Sequence, residues 1–122
     1  HMALLVIADE PPAFEAWRKA QMEAARPPET AEQEAGRSFF TSQACGACHT
    51  VRGTSAAGTL GPDLTHVASR STIAAGLLPN TIGNLGGWIL NAQSIKPGCR
   101  MPPNHMTGSE LQDLLAYLET LK

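Results

Sequence analysis

Little in this sequence is of the kind that holds most small domains together. Aromatics make up 5% of the 122 residues, three Phe, two Trp and one Tyr, so the chain can fill one modest core and no more. Three cysteines are too few for the disulfide framework of a small secreted scaffold. Charged residues amount to 16% with a formal net charge of −2, and Lys and Arg are nowhere dense enough to meet a nucleic acid or an anionic membrane. No apolar run approaches the roughly 20 residues of a membrane span. The stretch Ala3 to Ala8 is apolar but far shorter, and it has neither the charged start nor the cleavage site of a signal peptide. His1-Met2 reads as the remnant of an expression tag. A domain so poor in core and cross-links gains from a large apolar cofactor, and without one it is expected to be poorly folded.

What the sequence does contain is Cys45-Gly46-Ala47-Cys48-His49. Two cysteines at this spacing followed directly by histidine form a c-type haem attachment motif, because both thiols can add to the haem vinyl groups while the imidazole takes one axial face of the iron. A zinc site would need a second pair of ligands, and the third cysteine, Cys99, stands alone. A thioredoxin-like pair would need a strand before it and a long helix after it, whereas the run that follows is rich in glycine. Covalent haem attachment takes place outside the bacterial cytoplasmic membrane, so export is expected to be specified upstream in a longer parent chain.

Taken in order, Leu4 to Ala8 has the character of a strand and Phe14 to Met22 that of a helix. Glu23 to Glu29, with Pro27-Pro28, reads as a linker, which puts a domain boundary near Pro28. Thr30 can cap a helix to Gln43, with Glu32 and Glu34 in its first turns, and Gly36 there would let another helix cross closely. Arg52 to Pro62 has loop composition, Asp63 to Arg70 allows a short helical turn, and Thr81 can start a helix to about Asn91. Gly86-Gly87 within it imply close approach of something flat or of a backbone. The last helix is the plainest: Thr107 and Glu110 make a capping box, and Leu111, Leu114, Leu115 and Leu118 share a face. Met106, just before the cap, can staple onto Leu111.

The second axial ligand could come from Met101, Met106, Met22, His66, His105 or Cys99. Met101 is preferred, because Lys96 to Pro103 is a loop stiffened by prolines and a thioether stabilises reduced iron. Met106 has its staple role, and His66 and His105 read as surface or locally bonded side chains. Cys99 reads as a buried, inert thiol, with a thiol that dimerises the fragment or competes for the iron as the lesser reading.

The motif, together with Gly61-Pro62-Asp63-Leu64-Thr65-His66, Ala68-Ser69-Arg70, Pro79-Asn80, Trp88-Ile89, Ile95-Lys96-Pro97-Gly98 and Met101-Pro102, resembles the cytochrome c domain fused to subunit II of bacterial caa-type cytochrome c oxidases. The likeness covers nearly all of residues 32–122. Residues 3–24 resemble the last strand and following helix of the preceding copper-binding cupredoxin domain of that family. This implies three parts: residues 1–2 as tag, 3–29 as the end of the cupredoxin domain plus linker, and 30–122 as the cytochrome c domain.

The resemblance implies an all-α, class I cytochrome c fold around one covalent haem c, with Cys45 and Cys48 attached and His49 and Met101 on the iron. It implies that the Pro62 carbonyl accepts a hydrogen bond from His49, and that Arg70 and Trp88, with Thr72 or Asn80, stabilise the haem propionates. Gly36 and Phe40 would meet the helix carrying Leu114 and Tyr117. No copper is expected here, since its ligands would lie before residue 3. The implied function is one-electron transfer from a soluble donor such as a cytochrome c to the dinuclear copper centre of the same subunit, beside oxidase subunit I. That places the chain in the periplasm or on the outer face of the cytoplasmic membrane, on a membrane-anchored parent. It would itself be no enzyme. Donor docking is expected around Ala47, Val51 and the Met101 loop. Two other classes remain from the residues alone: an open-iron haem enzyme or gas sensor, peroxidase-like, and an interaction module pairing through the edge of Ala3 to Ala8.

Overall fold

The computed structural model describes residues 6–122. Part of the strand expected over Leu4 to Ala8 lies outside the described residues, and Val6 to Ala8 take no regular secondary structure. The first helix, α1 (Pro11–Met22), starts earlier than Phe14 because Pro11 and Pro12 occupy the turn where a missing N–H costs nothing. It buries no residue.

After the Pro-containing linker, α2 (Ala31–Ser42) begins at a reciprocal cap. Thr30 Oγ1 accepts from the Gln33 amide at 3.2 Å, while Gln33 Oε1 accepts from the Glu29 and Thr30 amides at 2.7 and 3.3 Å. The Glu34–Arg37 pair on its exposed face is a surface contact of small energetic weight. A five-residue helix, α3 (Ala44–Cys48), follows at once. A 3-10 turn at Val67–Ser69 fulfils the expectation of a short helical turn before Arg70.

The chain then makes a small antiparallel ribbon, β1 (Thr72–Ile73) and β2 (Leu78–Pro79), with Ile73 opposite Leu78. No sequence periodicity announces two strands of two residues each. Their connection passes through Ala74, Ala75 and Gly76, all with positive φ. Helix α4 (Ile82–Ile95) starts at the expected Thr81 cap, whose hydroxyl accepts from the Asn84 amide. It runs past Asn91, where an end was expected. Asn91 itself leaves helical geometry (φ −154°, ψ 78°), but its Oδ1 accepts from the Ser94 amide and restarts one more turn.

Helix α5 (Gly108–Leu118) has the capping box read from the sequence. Thr107 Oγ1 accepts from the Glu110 amide at 3.3 Å, and Glu110 Oε2 accepts from the Thr107 amide at 2.7 Å. These hydrogen bonds hold the Glu110 carboxyl below its ordinary value. Their contribution is therefore complete above the ordinary Glu range and fades as pH falls through the lower, folded value. Thr107→Ala should cost about 1 kcal/mol in denaturant unfolding near neutral pH.

Helices α2 and α5 cross where Gly36 sits. A Cβ there would overlap the Asp113 carbonyl and lie 2.8 Å from Tyr117 Cβ, so only glycine permits this approach. One turn on, Phe40 meets Tyr117 with ring centroids 6.1 Å apart. Around this crossing lies the core, with Leu114, Leu118 and Leu121 from the chain's end against Val51, Val67, Ile73, Leu85 and Ile89. Met106 and Leu111 both pack against its edge. Gly86 admits the Leu115 and Leu111 side chains of α5 rather than a backbone, and nothing in the structure explains Gly87. The result is an all-α frame with one short ribbon.

Candidate functional site

Helix α3 is short because the motif needs it to be. Cys45 and Cys48 stand on this single turn, and the chain leaves helical geometry at His49 (φ −113°, ψ 144°). His49 is thereby thrown clear of the turn while its amide still donates to the Cys45 carbonyl at 2.8 Å.

The imidazole is fixed from the other side by the loop that follows. His49 Nδ1 lies 2.8 Å from the Pro62 carbonyl, and since a carbonyl only accepts, Nδ1 carries the proton and Nε2 keeps its lone pair. The loop is pinned to α3: the Gly58 amide donates to Gly46 at 3.1 Å and the Gly61 amide to Cys48 at 2.7 Å. Gly61 is closest to the ring, where any Cβ would overlap the imidazole. Next to Pro62, burial pushes the Asp63 carboxyl up, but hydrogen bonds from Thr65 and the charges of Arg52 and Arg70 outweigh it and hold the group below its usual range.

A cavity of about 700 Å³ opens beside His49. Cys48, His49, Pro62, Arg70, Trp88 and Met101 all line it. Cys45, the remaining predicted site residue, stands one turn before Cys48, half-buried against the core, and burial raises its thiol pKa. The volume lies within the range of roughly 300–1,000 Å³ common for small-molecule sites, and the walls are mostly apolar. A macrocycle with two vinyl groups, a metal wanting an imidazole nitrogen, and acidic edges fits these residues. The cysteines supply thiols, His49 Nε2 a free lone pair, and Arg70 a cation at the rim.

Arg70 also donates to the Asp63 carbonyl, which draws its guanidinium toward the His49 loop. Thr72 lines the cavity, but Asn80 does not. The Asn80 amide donates instead to the Val67 and Arg70 carbonyls, at 2.8 and 2.9 Å, so it braces backbone rather than reaching a propionate.

The Met101 loop is held by side chains that the sequence reading did not single out. Gln93, on the last turns of α4, donates to the Cys99 and Met101 carbonyls and accepts from the Gly98 amide. Asn104 donates to the Ile89 carbonyl at 2.9 Å and to Pro102 at 3.2 Å, and its own amide bonds the Leu90 carbonyl. The kink at Asn91, where the Ser94 amide turns to Asn91 Oδ1, leaves the Leu90 carbonyl to accept from Asn104. The only sequence signal was a pair of amide side chains flanking a Pro- and Gly-rich loop.

Of the rivals to Met101, only Cys99 also lines the cavity, with Sγ 3.8 Å from the Met101 carbonyl; expected to be buried, it is only half-buried, because it sits in the cavity wall and not in the core. Met22 and His105 are exposed and Met106 packs against the core. His66, expected on the surface or locally bonded, is buried, with ring nitrogens 2.7 and 3.2 Å from the distant Lys122 and Glu23 carbonyls. Val51, expected at the docking surface, has 0% exposure and belongs to the core. Leu60, a large hydrophobic residue 76% exposed, stands at the rim instead. Among the described residues, no three His, Cys, Asp or Glu side chains converge to hold a bare metal ion, and no helix is long and apolar enough to cross a membrane.

The crossing of α2 and α5, a third helix closing an apolar cavity, and a C-x-x-C-H turn at its wall define a class I cytochrome c domain. The chain belongs to the cytochrome c family: the family model described as Cytochrome c matches residues 33–122. It is 37% identical to cytochrome c oxidase subunit 2 of Alkalihalophilus pseudofirmus, over 99% of this chain and 35% of that protein. The subunit 2 of Bacillus sp. strain PS3 is 31% identical over 89% of this chain and 32% of its own length. Cytochrome c-551 of Ectopseudomonas mendocina is 32% identical over 71% of this chain and 98% of its own. The chain thus spans about a third of the two oxidase subunits, in agreement with the resemblance read from its motifs. The family implies covalent haem c, and Cys45 and Cys48 fit its attachment motif.

Proposed function

We propose that residues 30–122 are a one-electron carrier, that residues 3–29 are the end of a preceding cupredoxin domain with its linker, and that His1-Met2 is tag. Cys45 and Cys48 hold the haem, and His49 and Met101 ligate its iron. Arg70 and Trp88, with Thr72, face the acidic edge. Bound haem supplies a ferric–ferrous couple. The observation that carries the reading is the pairing of His49 Nδ1 with the Pro62 carbonyl at 2.8 Å in a cavity that Met101 also lines.

The protein's part is to keep both ligands still. Pro62 fixes the imidazole tautomer and aim, as outer partners do at metal sites. Gln93 and Asn104 hold the Met101 loop by its backbone. Ligands that move little between redox states leave little to reorganise, which suits electron transfer rather than catalysis on this chain. The electron comes from a soluble donor and goes to the dinuclear copper centre of the same subunit, beside oxidase subunit I. This happens outside the cytoplasmic membrane on a membrane-anchored parent, in aerobic respiration.

The donor meets the rim at Leu60 and Ala75, which are exposed and line the cavity mouth. Stopped-flow reduction of the haem-loaded chain by a small soluble cytochrome tests this. Wild type should be reduced in one second-order phase, and Leu60→Glu should slow it roughly three- to tenfold. Ile82→Glu, exposed but away from this cavity, should leave the rate unchanged. No electron exchange by wild type would contradict the carrier role, and equal rates for both variants would move the docking surface elsewhere.

A further inference from the structure

We propose that Arg52 is a positioning residue that fastens the end of α1 to the haem domain, so that what precedes residue 24 meets the haem in one fixed orientation. The consequence for rate rests on the electron-transfer reading above, while the fastening rests on geometry alone.

A helix ends with carbonyls that have no partner within it, and the end carries partial negative charge. In α1 those carbonyls are met from across the fold. Arg52 Nη2 donates to the Gln21 carbonyl at 2.6 Å and to the Glu23 carbonyl at 3.3 Å. The Glu23 oxygen also lies 3.2 Å from His66 Nε2. In return the Ala25 amide donates to the Arg52 carbonyl at 2.9 Å. A cation is thus placed at the C-terminal end of α1, where the dipole favours it.

Gly53 lets the two segments lie together. Its φ is +88°, which suits glycine, and a Cβ there would come within 3.1 Å of Ala24 Cβ. Arg52 is itself tied toward the haem side. Its amide donates to Thr65 Oγ1 at 2.9 Å, and the fully buried Thr65 donates through its amide to Asp63 Oδ1 at 2.8 Å. Asp63 Oδ2 lies 4.0 Å from Arg52 Nε, a buried nitrogen without a hydrogen bond of its own among the described residues. Asp63 follows Pro62, whose carbonyl holds His49. A short line of contacts therefore joins the end of α1 to the proposed iron ligand. Since α1 buries no residue, the contacts that set its direction among the described residues are those at this end.

Trp17 on α1 reports the fastening, because it is 55% exposed while the other tryptophan, Trp88, lines the haem cavity, where haem would quench it. In the haem-loaded chain, time-resolved anisotropy of Trp17 should decay with the tumbling of the whole domain. Arg52→Gln should shift the docked-to-free ratio of α1 by about tenfold and add a fast component, which Arg52→Lys partly removes. Ala25→Pro, which deletes the amide donor outside the haem domain, should also add it, so the test does not depend on one variant folding. A fast component in wild type, or none in Arg52→Gln and Ala25→Pro with the haem spectrum intact, would overturn the proposal. In the longer parent chain the same variants should slow electron transfer from haem to the preceding domain. Release of α1 with an unchanged transfer rate would also overturn the positioning role. If the wild-type parent transfers no electron, the proposed function fails, and the anisotropy still decides the fastening.

Discussion

Prepared without haem, as in the Cys45→Ala, Cys48→Ala double variant, the chain should lose its fixed tertiary packing. The reason is the place of the cavity. Val67, Ile73, Leu85 and Leu118 belong at once to the core and to the cavity wall, so the core is built around the space and not beside it. Left empty, about 700 Å³ at about 24 cal/mol per Å³ corresponds to a penalty of up to about 17 kcal/mol. That is an upper bound, since the cavity opens to solvent and can partly collapse. It still exceeds the roughly 5–15 kcal/mol that holds an ordinary domain folded. Collapse would be reached by giving up the Met101 loop and the α4 packing, while α2 and α5 keep some helix through their capping boxes. The expected state has residual far-UV and little near-UV circular dichroism, binds a hydrophobic dye, and melts without a sharp transition. Cooperative unfolding of the haem-free chain with native near-UV signal would show that the remaining core suffices.

Gly36→Val should be almost as damaging, with the haem in place. The new Cβ would overlap the Asp113 carbonyl and press on Tyr117, both of them parts of α5 that cannot give way separately. Helices α2 and α5 would have to move apart, withdrawing Phe40 from Tyr117 and loosening Leu114 at the centre of the core. Overpacking ordinarily costs about 1–3 kcal/mol, and a backbone obstacle at a helix crossing belongs at or above the top of that range. Gly83→Ala supplies the contrast. Nothing lies within 4 Å of where a Cβ would stand, and in the first turn of α4 alanine should stabilise by about 0.5–1 kcal/mol. Guanidinium unfolding of the two haem-loaded variants should shift in opposite directions. A Gly36→Val protein as stable as wild type would mean that the two helices do not cross there.

Wherever side-chain chemistry decided the structure, the sequence could be read. Cys45, Cys48 and His49 declare themselves by type and spacing, Thr107 and Glu110 by the cap they form, and the leucines of α5 by their period. Gly36 was legible because a helix-breaking residue within a good helix needs a reason. What stayed hidden depends on backbone carbonyls, which every residue carries alike. Gln93 holds the Met101 loop through the Cys99 and Met101 carbonyls, and Asn80 reaches the Val67 and Arg70 carbonyls. Arg52 reaches Gln21 and Glu23 in the same way. His66 shows the same limit, since its partners lie 43 and 56 residues away along the chain. Val51 was misplaced at the surface because a lone valine in a polar loop has no period to mark which way it faces. The ribbon at Thr72 and Leu78 is too short to leave any pattern, and its turn takes positive φ at two alanines, against residue preference.

In the proposed carrier, His49 and Met101 together saturate the iron of a single covalent haem. Optical spectra of the haem-loaded chain, oxidised and reduced, with and without carbon monoxide, test this most directly. The spectrum should be low-spin in both states, with a weak far-red band from thioether on ferric iron and no response to carbon monoxide at neutral pH. A high-spin spectrum that shifts on adding carbon monoxide would contradict this ligation, removing Met101 from the iron and turning the reading to an open-iron haem protein.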